Sequence, residues 1–342
     1  MIYNNKEYTR RELAALVGNL QQLSSICPTT IDDGKGRLMR KIEVDTGSGL
    51  TYTVLPDRGM DIGLAKFGPY PISFLSATGY SSPFLYEEPG NGFLRNFSGG
   101  MLTTCGLTYF GAPCVDQGEQ LGLHGRATAI PAENTYCISR WEGDRCFLEA
   151  GGEVHQTRLG GEHICLTRII QSEAGTSRLT VSDTIENHGF TSQPIMLLYH
   201  CNFGFPFLSP NSYILRSGGR IEPKTPEAEA DIMRYDRFML PNPDAPAQVY
   251  YHHMPGEDGV AWASLCSPDI GYKATISYTT ENLPMMVQWK HLQPGGYVCG
   301  LEPSMWYGHG RAAARAREAL RFLEPGDAIT NVIVLAVEAL NS

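Results

Sequence analysis

Leu197-Leu198-Tyr199-His200-Cys201-Asn202-Phe203-Gly204 reads as an extended segment with an apolar frame and a glycine at its end. In such a segment side chains alternate, which puts Tyr199, Cys201 and Phe203 on one side and His200, Asn202 and Gly204 on the other. The imidazole and the amide then share a surface, and Gly204 leaves room beside them. A histidine in a sheet is also commonly a hydrogen-bonded core residue, so the segment alone leaves the role of His200 open.

The same reading extends in both directions. Leu38, Ile42 and Val44, then Leu50, Tyr52 and Val54 across Gly47-Ser48-Gly49, alternate like two strands joined by a glycine turn. Short runs of this kind return at 146–149, 164–170, 179–185, 274–278 and 330–337. With 37 glycines and 22 prolines punctuating them, they indicate an all-β sandwich or barrel of many short strands. The pairs Gly151-Gly152 and Gly160-Gly161 read as hairpin turns, and Pro241 to Pro246 as a loop. Thr9-Arg10-Arg11-Glu12 has the form of a capping box opening a short peripheral helix, with Leu13, Leu16 and Leu20 on one face. No fixed-period repeat, low-complexity tail or linker divides the 342 residues. The expectation is one domain over 1–342, with 1–36 as an N-terminal helical and strand extension.

Composition narrows the partners. Hydrophobic content of 42% with 18% charged residues is that of a soluble globular chain, and a net charge of -9 is a poor match to a polyanion. Arg311, Arg315, Arg317 and Arg321, interleaved with alanines, read as a solvated helical face rather than a nucleic-acid stripe. The start, 1–6, has no apolar run behind a basic segment, and no stretch approaches a bilayer-spanning length. A cytoplasmic location follows as the expectation, with no membrane or nucleic-acid partner; a homodimer stays open. The nine cysteines lack any C-x-x-C pair, so reduced core thiols are the reading rather than disulfides or a zinc knuckle.

Two further segments carry candidate chemistry. His124 lies in Gly122-Leu123-His124-Gly125-Arg126, where glycines allow close backbone approach to a ligand and the arginine can bind oxygen; a tight turn with a solvated histidine is the bland alternative. Glu302 follows the strand-like Tyr297-Val298-Cys299-Gly300-Leu301 and precedes Pro303. A carboxylate partly desolvated there has its proton affinity raised toward the range of a general base, although any single glutamate is more often a surface residue.

Taken together with Pro56-Asp57-Arg58-Gly59-Met60-Asp61-Ile62, with 99–107 and with the continuation Phe205-Pro206, these segments resemble the aldose 1-epimerase, or galactose mutarotase-like, superfamily. The resemblance runs from about Arg37 to the end and is closest to a divergent, largely uncharacterised branch. It implies a galactose mutarotase-like β-sandwich of many antiparallel strands with a few short peripheral helices. It also implies an isomerase that interconverts the α and β anomers of a free sugar without a metal or other cofactor. By motif position it places the general acid on His200, the general base on Glu302 and a sugar-binding histidine on His124. Arg58, Asn202, Asp236, Gln288 and Arg126 complete the implied substrate site. Two departures are plain: Arg126 stands where the family has a second glycine, and Cys201 separates His200 from Asn202. The sugar's identity therefore does not carry over.

Ring opening of a cyclic hemiacetal needs a proton delivered to the ring oxygen while the anomeric hydroxyl loses one, so a donor and an acceptor must flank one carbon. Two other classes compete. A carbohydrate-binding protein can keep the fold without catalysis, and a glycoside hydrolase or lyase would use a second carboxylate, for which Asp236 is the candidate.

Overall fold

The computed structural model describes residues 1–3 and 6–340; Asn4 and Asn5, part of the start read above, lie outside the described residues. Three antiparallel sheets build the core. The largest runs, in spatial order, through Glu133–Glu142, Arg145–Thr157, His163–Glu173, Arg178–Asn187, Ala328–Ala339, Tyr272–Thr279, Val260–Ser267 and Tyr213–Arg216. The second runs through Ile221–Pro223, Gln248–His253, Met285–Gln293, Gly296–Ser304, Gln193–Gly204 and Arg321–Leu323, and Thr103–Leu107 also pairs with Gln193–Gly204. A five-stranded sheet from Ser25–Thr30 to Tyr70–Pro71 completes the set.

Alternation explains why these segments are strands. In Arg178–Asn187 the buried positions recur every second residue, Leu179, Val181, Asp183 and Ile185, and in His163–Glu173 the matching set is Ile164, Leu166, Arg168 and Ile170. The two charged exceptions face each other across the ladder. Arg168 donates to both oxygens of Asp183 at 2.8 and 2.7 Å and to Thr104 Oγ1 at 2.8 Å, with Asp61 3.5 Å away. Tyr199 Oη donates to Asp183 at 2.7 Å. One buried guanidinium thus joins all three sheets: 168 and 183 from the first, 104 and 199 from the second, 61 from the third. Removing Arg168 or Asp183 alone would leave an uncompensated buried charge, which costs about 3–5 kcal/mol.

Several local expectations hold and several need correction. The capping box at Thr9 is formed with Glu12 and opens the helix Arg10–Leu16. Only Leu13 of its leucines is buried, and Leu16 is 67% exposed. Gly160-Gly161 lies in the connection between Thr157 and His163, but Gly151-Gly152 sits inside a strand. A Cβ at Gly151 would meet the Tyr136 ring of the adjacent strand, so glycine here makes space for an aromatic instead of turning the chain. The arginines near 311 do not form one solvated face, although Arg317 and Arg321 are exposed. Arg311 is buried and binds Asp116 and Glu119, Arg315 binds Asp116 at 2.8 Å, and Arg321 falls on a separate strand. All nine cysteines are free thiols. Among the described residues no helix is long and apolar enough to cross a membrane.

Candidate functional site

The second sheet presents a floor of alternate residues. Gln193–Gly204 and Gly296–Ser304 pair in one register, Leu198 with Ser304 and Cys201 with Leu301, so His200 stands across from Glu302. Their side chains lie on the same face, and His200 Nε2 is 3.3 Å from Glu302 Oε1, without the angle of a hydrogen bond. On neighbouring strands Trp289 and Val287, then Tyr251 and Val249, occupy the same face. The other face, with Leu197, Tyr199, Cys201 and Phe203, enters the main core. The alternation read from the sequence therefore holds along this strand.

Loops close the floor into a cavity of about 380 Å³. Leu123 and His124 line it from one loop, Phe93 and Phe97 from another, and Lys224 from its exposed rim. The rings of His124 and His200 are 5.8 Å apart and nearly perpendicular, while Phe97 and Trp289 flank His200 at 5.2 and 5.5 Å. His124 has a φ of 61°, a left-handed conformation costly for a residue with a Cβ. Two backbone hydrogen bonds hold it there, His124 N to Gly111 O at 3.0 Å and Gly106 N to His124 O at 3.1 Å. The glycines around it serve the backbone: a Cβ at Gly125 would strike the carbonyls of Tyr109 and Gly106, and one at Gly122 the carbonyl of Glu88. The close approach that the motif required is to neighbouring chain.

Burial dominates the electrostatics. It pushes the His200 imidazole well below its ordinary pKa, assisted by His124 beside it. Burial likewise lowers His124 to about 4, with Lys224 adding to the effect. The Glu302 carboxyl is pushed well above the usual carboxylate range by desolvation, against the attraction of Lys224. Partial desolvation in turn lowers Lys224, opposed by Glu302. Both imidazoles are thus neutral near neutral pH. His124 Nδ1, His200 Nδ1, Glu302 Oε1 and Tyr251 Oη are buried without hydrogen-bond partners, and all four belong to residues lining this cavity. Buried polar atoms are paired in most proteins, so these four leave hydrogen-bonding capacity free around the cavity.

Of the sequence-derived candidates, the structure brings His124, His200 and Glu302 together and leaves five apart. Asn202 is fully buried and donates to Gly100 O and His200 O, so it secures the strand. Gln288 is out of phase with Trp289 and bonds His252 and Tyr235 O on the opposite face. Arg58 is buried on Ser81 O, Asn96 O and Thr128. Arg126 pairs with Glu88, and Asp236 lies beside Arg237. Each of these side chains has a protein partner, although Arg58 Nε and Asn202 Oδ1 stay unpaired, and none lines the cavity. Phe93, Phe97, Lys224, Tyr251 and Trp289 line the cavity without being among the sequence-derived candidates. The period-two pattern of 249, 251, 287 and 289 could have identified the strand members; the loop phenylalanines carry no such signal.

Residues 36–337 match the family model described as a domain of unknown function, DUF4432. No curated protein matches the chain. Among solved structures, a Klebsiella pneumoniae protein provisionally named an aldose 1-epimerase superposes with a TM-score of 0.88 at 22% identity, over 94% of this chain and 87% of its own. A galactose mutarotase-like protein from Clostridium acetobutylicum gives 0.62 at 12% identity, over 93% and 99%. A galactose 1-epimerase from Lactobacillus acidophilus gives 0.59 at 9%, over 92% and 99%. At such identities the likeness concerns architecture, as does the presence of many antiparallel sheets with few helices. The chain belongs to the DUF4432 family, and its fold is the galactose mutarotase-like sandwich.

Proposed function

We propose that this protein is an aldose 1-epimerase-like mutarotase, with His200 and Glu302 exchanging protons with a free sugar. The observation that carries the reading is the buried imidazole and carboxyl, 3.3 Å apart, opening onto one aromatic-walled cavity. The two oxygens that must exchange protons are bonded to a single carbon, so their partners have to be close neighbours.

The opposed shifts suit a reaction that runs both ways. Burial rests the one-proton pair as neutral imidazole and protonated carboxyl; once that proton passes to His200, the imidazolium delivers it to the ring oxygen as the carbon–oxygen bond breaks, and ionised Glu302 takes the anomeric hydroxyl's proton. The pair is now neutral imidazole and protonated carboxyl, the state that burial favours. After rotation about the bond next to the carbonyl carbon, His200 takes back the ring hydroxyl's proton as the bond re-forms on the other face. Glu302 then protonates the former carbonyl oxygen. Protons balance, and the pair is again imidazolium and carboxylate. His124 and Trp289 border the space where the ring would lie, one offering a hydrogen-bonding nitrogen and the other an apolar face. Among the described residues lining the cavity Glu302 is the single carboxylate, which favours this chemistry over hydrolysis by a carboxylate pair.

Proton-NMR exchange spectroscopy over a panel of free sugars tests the proposal. The wild-type protein is expected to accelerate anomer exchange of at least one sugar, and His200→Ala and Glu302→Gln each to lose ~100-fold or more of that rate. Equal rates in all three proteins would end the assignment, and tight sugar capture without exchange would instead establish a binding protein.

A further inference from the structure

The outer face of the eight-stranded sheet carries a second concentration of reactive side chains, sharing no residue with the cavity. His155 lies opposite Cys165 on the adjacent strand, and Cys165 lies opposite Glu186 on the next. His163, two residues before Cys165, shares that face. His188, just past Asn187, donates its backbone N–H to His163 O at 2.9 Å. Nitrogen atoms of His155 and His188 and the sulfur of Cys165 all lie within 4.8 Å of one another. Cys165 Sγ is 3.9 Å from His155 Nε2.

We propose that His155, Cys165 and His188 form a binding site for a divalent transition metal of the zinc class. Two imidazoles and a thiolate are the borderline-soft donor set such ions take. With Zn–S near 2.3 Å and Zn–N near 2.0 Å, tetrahedral geometry sets sulfur and nitrogen ~3.6 Å apart and two nitrogens ~3.4 Å apart. The 3.9 Å between Cys165 and His155 is within a few tenths of that value, and His188 can close the rest by side-chain rotation because its side chain is 37% exposed. The surroundings support the assignment independently. His155 Nδ1 is 3.3 Å from His163 Nε2, so a hydrogen bond there orients the ring and leaves Nε2 for the ion. Glu153 lies 3.4 Å from His155 Nε2 and Glu186 lies 3.3 Å from His188 Nε2, giving the site negative charge. On binding, the Cys165 thiol loses its proton to solvent and the sulfur bonds the metal; nothing is oxidised or reduced. The ion would clip Arg145–Thr157 and His163–Glu173 to the segment after Arg178–Asn187. Cys165 would then be a ligand and not a plain core thiol.

Cobalt titration of the chelator-treated full chain tests the site. One equivalent of Co²⁺ is expected to produce visible bands of tetrahedral cobalt and a near-ultraviolet thiolate-to-cobalt band, both displaced by Zn²⁺. Cys165→Ser is expected to abolish the near-ultraviolet band. His188→Ala, a surface change that leaves the core intact, is expected to weaken Co²⁺ binding at least tenfold, and Cys27→Ser to leave it unchanged. Absence of the thiolate band in the wild-type chain, its survival in Cys165→Ser, or unaltered affinity in His188→Ala would overturn the assignment. Sugar exchange plays no part in any of these readouts.

Discussion

Gly300 shows how one missing side chain shapes the candidate site. It stands across from Asn202 and Trp289, and a Cβ there would collide with Glu302 Oε1, the free end of the carboxyl. Because that end can swing aside, Gly300→Ala should displace the carboxyl without opening the core. In the proposed mutarotase its kcat is expected to fall ~100-fold, the scale on which an ångström of misplacement acts, while the urea midpoint hardly moves. Steady-state exchange rates beside a denaturation curve would check this, and an unchanged kcat would remove Gly300 from the positioning of Glu302. At this scale His124, His200 and Glu302 were legible because each sits in a short distinctive frame. Gln288 was misplaced because its neighbour Trp289 holds the cavity-facing phase of the strand. Arg58 and Arg126 were misplaced because partners distant in sequence, Asn96 and Glu88, capture their guanidinium groups.

The strand Gln193–Gly204 divides stability from chemistry along its two faces. Tyr199 points into the main core, where its hydroxyl donates to Asp183 and accepts from Asn331, while His200 points into the cavity. Tyr199→Phe is accordingly expected to lower unfolding free energy by ~1–3 kcal/mol, the cost of leaving buried partners unsatisfied, with sugar exchange retained. His200→Ala should do the reverse. Urea unfolding and exchange rates on both variants would expose any failure, the clearest being a Tyr199→Phe protein that is fully stable. Strands of this kind were readable from period alone, since one face must be apolar. Gly151-Gly152 defeated that reading: a glycine pair signals a turn locally, and only the Tyr136 ring lying over it makes it part of a strand.

Across the whole molecule, buried titratable groups link stability to pH. His124 and His200 have pKa values pushed below the ordinary 6.5, His124 to about 4, so on acidification the unfolded chain takes up protons that the folded chain refuses. Their contribution is fully present above pH 6.5 and is lost as pH falls toward 4. Glu302, with its pKa raised, has the opposite sign: its contribution is full below pH 4.5, shrinks as pH rises, and offsets part of the histidine effect. His124→Asn, which tolerates the left-handed backbone, should make the fall in unfolding free energy between pH 6.5 and 4 shallower than in wild type. Parallel slopes in urea titrations across that range would disprove it. By itself the sequence determined the strand content, the class of sandwich and the three side chains with distinctive frames, because alternation and glycine-bounded motifs are local properties. Only the tertiary structure decided which polar residues face the cavity and which are bound elsewhere, and it alone gathered Arg168 with Asp61, Thr104, Asp183 and Tyr199, and His155 with Cys165 and His188. Those groupings depend on register and sheet order, which bring together residues that no local period relates.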